Sequence, residues 1–127
     1  MRRFKFKSSQ RLKSQTDFNS VFQYGVKFDR ELLTAKFISH PSESHENYLQ
    51  AAFIVSKKLF RKAVQRNRIR RLMREAFRLH YSDYPQIKGK ILLIYKKKNI
   101  PEYPQICKEL LGILDDIIKL KLHENPK

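Results

Sequence analysis

The amino-acid sequence predicts one α+β domain, a two-layer α/β sandwich with helices packed on a small sheet. Three observations predict it. The chain has 127 residues, 41% hydrophobic and 12% aromatic, which is the size and apolar content of a single domain with its own core. Apolar spacing switches between period two and period 3.6 along the chain, so strands and helices are interspersed. Residues 49–95 read strand, helix, strand, and the last strand is a continuous apolar run. That order suggests a βαβ-like crossover inside a mixed sheet. The expected layout is a single domain over 1–127, with a basic flexible arm at 1–10, a folded core at 11–122 and a flexible tail at 123–127.

Each element has a local reason. Residues 1–13 carry Arg2, Arg3, Lys5, Lys7, Arg11 and Lys13 and no acid, with Phe4, Phe6 and Leu12 interleaved. Such a block reads as an arm. Thr16 and Asp17 offer side-chain oxygens for a helix start. Phe18, Val21 and Phe22 then fall on one helix face, and Gly25 ends the helix, expected in the left-handed conformation glycine adopts cheaply. Leu32 to Ile38 reads as a strand. His40 to Asn47 is a polar turn, and Leu49 to Val55 a second strand with Leu49, Ala51, Phe53 and Val55 on one face. The short connection predicts that these two strands pair as an antiparallel hairpin. A long helix follows over about Arg61–His80, with Ile69, Leu72, Met73, Ala76 and Phe77 on its apolar side. Lys90 to Lys96 reads as a strand buried on both faces. Pro101 and Pro104 open a last helix that runs to about Leu122.

Charge narrows the function. The chain holds 28 Lys+Arg against 12 Asp+Glu, a net charge of +16. Self-repulsion of that size opposes folding, so a polyanionic partner is expected. The apolar runs are far shorter than the ~20 residues of a membrane span, and no signal peptide is visible. Cys107 is the only cysteine, so no disulfide framework and no Cys-based zinc site can form within one chain. The expectation is a cytoplasmic protein with no membrane partner.

Much of the charge sits in one place. Lys57 to Arg78 contains ten basic residues and one acid, Glu75. Asn67, Arg70, Arg71, Arg74 and Arg78 cluster opposite the apolar side of the long helix. Arg66–Arg70, Arg70–Arg74 and Arg74–Arg78 are like-charge pairs one turn apart, each costing about 0.2–0.5 kcal/mol. Arg61, Lys62, Arg66 and Arg68 crowd the helix start, where the macrodipole disfavours cations. Packing does not explain this choice. A phosphate-contact surface does, because guanidinium groups grip phosphate in a planar two-pronged geometry.

The stretch Val55-Ser56-Lys57-Lys58-Leu59-Phe60-Arg61-Lys62-Ala63-Val64-Gln65-Arg66-Asn67-Arg68-Ile69-Arg70-Arg71-Leu72-Met73-Arg74-Glu75-Ala76-Phe77-Arg78 resembles the signature of the bacterial ribonuclease P protein subunit. Arg66-Asn67-Arg68 looks like that family's RNR motif. Arg11-Leu12-Lys13, Asp17-Phe18, Val21-Phe22 and Gly25 form a second match. The resemblance implies the element order α-β-β-β-α-β-α with a left-handed βαβ crossover, the ribosomal protein S5 domain 2-like arrangement. It therefore implies an extra short strand near Val26–Phe28. It also implies a protein that binds a catalytic RNA and the 5′ leader of precursor tRNA, and assists the endonucleolytic cut that makes the mature tRNA 5′ end. The chemistry would lie on the RNA, with no catalytic residue on this chain. Mg²⁺ is expected in the holoenzyme, with no protein ligands assigned, and no protein partner is required.

By position, the resemblance makes Arg66, Asn67, Arg68, Arg70 and Arg71 RNA contacts. Lys57, Lys58, Arg61, Lys62, Arg74 and Arg78 complete the predicted RNA-binding set. Phe18 and Phe22 match aromatics that line the leader cleft, where they would stack on unpaired bases. Spacing alone reads the same two rings as core, and both readings stand at this level. Lys36 takes the place of an aromatic on the cleft strand and could meet a leader phosphate. Other departures are Ala52 at a frequent glycine position, Tyr95 near a usual basic position, and a segment Leu59–Val64 one residue longer than the common form. The alternative reading is a structured-RNA-binding ribosomal or assembly protein without a role in cleavage.

Overall fold

The computed structural model describes residues 15–39 and 49–124, with side chains described as far as Leu120. The arm expected at 1–10, the Arg11-Leu12-Lys13 match, the turn at His40–Asn47 and the end of the tail lie outside the described residues. The order is α1 (Gln15–Tyr24), β1 (Val26–Asp29), β2 (Leu33–Ser39), β3 (Leu49–Val55), α2 (Ala63–His80), one 3₁₀ turn (Tyr81–Asp83), β4 (Gly89–Tyr95) and α3 (Tyr103–Glu124). This is the expected α+β order, including the short strand β1.

β4 organises the sheet. Its sequence, Gly-Lys-Ile-Leu-Leu-Ile-Tyr, is apolar on both faces, and such a strand is stable only inside a sheet with both faces covered. The strand order is β1-β2-β4-β3. β1 pairs with β2 and β2 with β4 antiparallel, while β3 and β4 run parallel. The parallel pair with α2 between its strands is the expected βαβ unit. The predicted β2–β3 hairpin is not formed. β2 and β3 do run in opposite directions, but β4 sits between them and takes the hydrogen bonds of both. The more apolar strand wins the central place because it loses most by standing at an edge.

One face of the sheet carries the core. Leu33, Ala35, Phe37, Leu49, Ala51, Val55, Ile91, Leu93 and Tyr95 meet Ile69, Met73, Ala76 and Phe77 of α2 and Ile106, Leu110, Ile113, Leu114 and Ile117 of α3. Phe77 is fully buried, edge-on to Phe53 at 5.9 Å and stacked on Tyr81 at 5.1 Å. Side chains alternate across a strand, so Lys36, Leu92 and Ala52, which share one row of the register, point to the other face. There α1 lies across β2 and β4. Val21 and Leu92 are buried but stand outside the main core.

Polar groups fasten the layers. Glu109 of α3 accepts hydrogen bonds from the Leu32 and Leu33 amides at 2.6 and 3.3 Å and an ion pair from Arg30 at 3.4 Å. Arg30 also reaches Asp116 at 3.4 Å, and Tyr84 donates to Asp115 at 2.9 Å. The two aspartates are thus tethers of α3. Gly112 leaves room for the Arg30 guanidinium, since a Cβ there would lie 2.5 Å from its Nη1.

Two local expectations change. Thr16 and Asp17 lie inside the first turn of α1, because the helix already begins at Gln15. Gly25 does end α1, but its φ is not positive. Space is the reason for glycine: a Cβ would lie 2.5 Å from the Val21 carbonyl oxygen and 3.1 Å from the Phe37 nitrogen. The glycine with positive φ is Gly89, at 155°. It opens β4 where a Cβ would lie 2.8 Å from the Ser39 Cα.

Candidate nucleic-acid interface

The arginine helix begins with an unusual electrostatic choice. Lys62 precedes α2 with extended backbone and no side-chain cap, and the first turn has no acid. The free N–H groups of that turn and the cations Arg61 and Lys62, both exposed, make one positive end. Arg66 secures the approach to it. Its Nη1 donates to the carbonyl oxygens of Phe60 and Arg61, both at 2.8 Å. Phe60 is buried, with its ring 6.2 Å from that of Tyr95. A buried ring and an arginine clasp thus fix the Leu59–Lys62 segment ahead of α2.

The predicted RNA-binding residues divide into two groups. Lys57, Lys58, Arg61, Lys62, Asn67, Arg68 and Arg71 are exposed. Arg68 and Arg71 carry no hydrogen bond or ion pair to any described residue, so their forks point outward unengaged. Arg66, Arg70, Arg74 and Arg78 are half-buried. Arg70 donates to the Asn67 side-chain oxygen, so that asparagine orients an arginine. Arg78 is paired with Glu75, its side chain only 18% exposed. The Glu75 hydrogen bond is the main cause that raises the Arg78 pKa. The single acid of this stretch thus pairs with its last arginine.

The second group of residues lies on the opposite face of the sheet. Phe18 and Phe22 stack nearly parallel, with centroids 6.3 Å apart and planes 7° apart. Phe22 is 50% exposed and Phe18 half-buried. Val21, between them on the helix, takes the buried position. Core packing therefore accounts for Val21 and leaves the two rings on an open surface. Lys36 joins them: its Nζ lies 4.2 Å from the Phe22 ring centroid and donates to the Phe22 carbonyl oxygen at 2.6 Å. The three predicted cleft residues are brought together. Asp17 and Lys90 pair at 3.2 Å at the other end of α1. Ala52, Ile54 and Ile94 are half-buried on the same face of the sheet.

One group of cations escapes the sequence reading. β3 and β4 are parallel, with Val55 opposite Tyr95, so both chains leave the sheet at the same end. Lys96, Lys97 and Lys98 therefore follow β4 at the same end of the sheet at which Lys57 and Lys58 follow β3. Lys96 is held by Asp29 at 2.7 Å, and Lys97 and Lys98 are exposed. The signal is the paired runs Lys57-Lys58 and Lys96-Lys97-Lys98, which become neighbours only once the strands are known to be parallel.

Among the described residues no three His, Cys, Asp or Glu side chains gather as metal ligands. His40, Glu43, His45 and Glu46 lie outside them.

The sequence profile of the family described as Ribonuclease P matches residues 6–117. The chain belongs to the ribonuclease P protein family. It is similar to the ribonuclease P protein component of Staphylococcus haemolyticus, 30% identical over 117 residues that cover 92% of this chain and 94% of the relative. It also resembles that of Legionella pneumophila strain Lens, 41% identical over 75 residues, 59% of this chain and 62% of the relative. The Legionella matches thus span under two thirds of those proteins. Among solved structures, the Staphylococcus aureus RNase P protein aligns with a TM-score of 0.71 at 26% identity, over 85% of this chain and 94% of that one. The RNase P protein from Thermotoga maritima aligns with a TM-score of 0.68 at 27% identity, over 82% and 94%. The ribonuclease P resemblance read from Val55–Arg78 is thereby upheld. Among the described residues no helix is long and apolar enough to cross a membrane.

Proposed function

We propose that this chain is the protein subunit of a ribonuclease P ribonucleoprotein, binding its catalytic RNA and the 5′ leader of precursor tRNA in the cytoplasm. The observation that carries the reading is the division of labour between two surfaces. Arg68 and Arg71 stand outward and unengaged on α2, while Phe18, Phe22 and Lys36 form an open aromatic surface across the sheet. A structured-RNA-binding protein without a role in cleavage needs the first surface and has no use for the second.

Each surface has its own physics. Outward guanidinium groups bind phosphates and release counterions, which gives affinity without sequence preference. The helix start adds N–H donors and a positive dipole end. Half-exposed aromatic rings stack on unpaired bases at about 1–3 kcal/mol per base, again with tolerance of sequence. That tolerance suits a single-stranded leader. Lys36 would trade its bond to the Phe22 carbonyl for a phosphate oxygen as the leader enters. The cut itself would be made by the RNA with its Mg²⁺. This chain would position the substrate and reduce repulsion between two RNAs.

Reconstitution tests the whole reading. The protein is mixed with the cognate catalytic RNA, and 5′ cleavage of precursor tRNA is followed at low Mg²⁺. The expected result is a clear rate gain over RNA alone, together with tighter binding of precursor tRNA than of mature tRNA. No gain and equal binding of the two tRNAs would leave only general RNA binding.

A further inference from the structure

Two lysine-bearing segments leave the sheet together. β3 and β4 run parallel with Val55 opposite Tyr95, so residues 56–62 and 96–100 start about 5 Å apart. Neither segment contains an acid. Lys57, Lys58, Lys97 and Lys98 are exposed. Lys96 pairs with Asp29 at 2.7 Å, so Lys97 and Lys98 are the outward charges of the second segment.

One side chain holds both segments. Tyr95 is 1% exposed. Its ring lies 6.2 Å from that of buried Phe60, which ties residues 56–60 to the end of β4. Its hydroxyl donates to the Asn99 carbonyl oxygen at 2.6 Å, which ties down residues 96–99 as well. Backbone hydrogen bonds set each segment locally. The Phe60 amide donates to the Ser56 carbonyl oxygen at 3.1 Å, and the Lys58 amide to the Ser56 hydroxyl at 3.0 Å. The Lys96 amide donates to the Leu32 carbonyl oxygen at 2.9 Å. The backbones that carry the four lysines are therefore fixed in the free chain. Like charges gathered on fixed backbone repel one another, and a polyanion turns that repulsion into attraction.

We propose that the two segments form one lysine platform, positioned by Tyr95, that binds backbone phosphates of the catalytic RNA. It rests on the functional reading above and adds Lys97, Lys98 and Tyr95 to that surface. Lysine suits the role because an ammonium meets phosphate as a point charge with no set direction. Such contacts position RNA without reading its sequence. The place of the platform selects the RNA. α1 and its aromatic rings lie toward the start of β4: Asp17 pairs with Lys90, and Gly25 lies against Phe37, the register partner of Ile91. Tyr95 ends the strand, about 13 Å beyond Ile91. The platform runs instead into Arg61 and Lys62, exposed just ahead of α2. It therefore extends the arginine surface, and not the aromatic one.

Equilibrium binding of the full chain to the cognate catalytic RNA, measured across a salt series with no tRNA present, tests it. Lys97→Gln/Lys98→Gln should make the slope of log K against log salt shallower by about 1.4–1.8, the share of two phosphates. Its unfolding midpoint should match that of the native chain, which reports that it folds. Lys119→Gln, at an exposed position of α3, should keep the native slope. Tyr95→Phe keeps the ring and every lysine but releases Asn99. It should bind roughly 2- to 10-fold more weakly with the slope unchanged, because the segment must then be ordered on binding. A native slope in Lys97→Gln/Lys98→Gln, while the native chain still binds and activates the RNA, overturns the platform and leaves the functional reading standing. An equal change per charge in Lys119→Gln also overturns it, since net charge alone then sets the slope. Native affinity in Tyr95→Phe overturns the positioning role of Tyr95. A native chain that does not bind the catalytic RNA overturns the functional reading, and the platform with it.

Discussion

The two faces of the sheet follow opposite rules. The face under α2 and α3 is sealed: it holds the main core, and its large side chains are buried almost completely. The face under α1 buries Val21 and Leu92 and leaves Phe22 half in water. Residues of the same chemical type thus do different work. Phe77 and Phe22 are both helix phenylalanines beside an aromatic neighbour, yet one is completely buried and the other half exposed. Apolar burial holds the fold; apolar exposure beside a lysine is a surface held ready for something else.

That contrast can be broken by exchange of roles. Phe77→Ala should cost about 3–5 kcal/mol of folding stability through the cavity it leaves, measured by denaturant unfolding. Phe22→Ala should change stability by less than about 1 kcal/mol. It should weaken binding of leader-bearing precursor tRNA by about 1–3 kcal/mol for each base that stacks on the ring, with mature tRNA binding unchanged. If both variants lose stability equally, the α1 face is a second core and the contrast fails.

The polar ties differ in the same way. Glu109 serves the sealed side: 12% exposed, it accepts from two backbone amides and Arg30. Glu109→Ala should cost about 1.5–3 kcal/mol, seen as a lower unfolding midpoint. On the outward side, Arg68→Ala with Arg71→Ala should leave the midpoint in place. The slope of log K against log salt for catalytic-RNA binding should fall by about 0.7–0.9 for each phosphate these arginines no longer neutralise. Arg66→Ala should lower the midpoint as well, because its Nη1 holds two carbonyl oxygens.

The smallest effect concerns Asp29. Hydrogen bonds from Lys96 and Thr34 hold its carboxyl below the usual range. A depressed folded pKa adds stability that is complete above the unfolded value and is lost as pH falls through the folded one. The difference in unfolding temperature between the native chain and Asp29→Asn should therefore be constant near neutrality and shrink as pH falls below the ordinary carboxylate value of 3.8. The reach is small because the carboxylate is exposed to solvent.

Legibility follows locality. α2 is readable to within two residues, since its apolar period and its arginines lie in one continuous stretch. β4 is readable as a strand buried on both faces, but its insertion between β2 and β3 is not, because strand pairing is decided by competition between distant segments. β1 carries no pattern of its own: three of its four residues are exposed, and only the family resemblance points to it. On the site, the cations are readable as a set. Which of them stay free is not, because the Arg66 clasp and the Arg78–Glu75 pair depend on side-chain direction. Gly25 is legible as a helix end but not for its true reason, since a close approach of backbones leaves no mark on sequence that differs from a left-handed turn.

That glycine has a mechanical consequence. With the Phe37 nitrogen so near residue 25, the end of α1 is seated directly on β2, while Asp17 at its start pairs with Lys90 of β4. A side chain at residue 25 would push the end of α1 off β2 and carry Phe22 and its contact with Lys36 along with it.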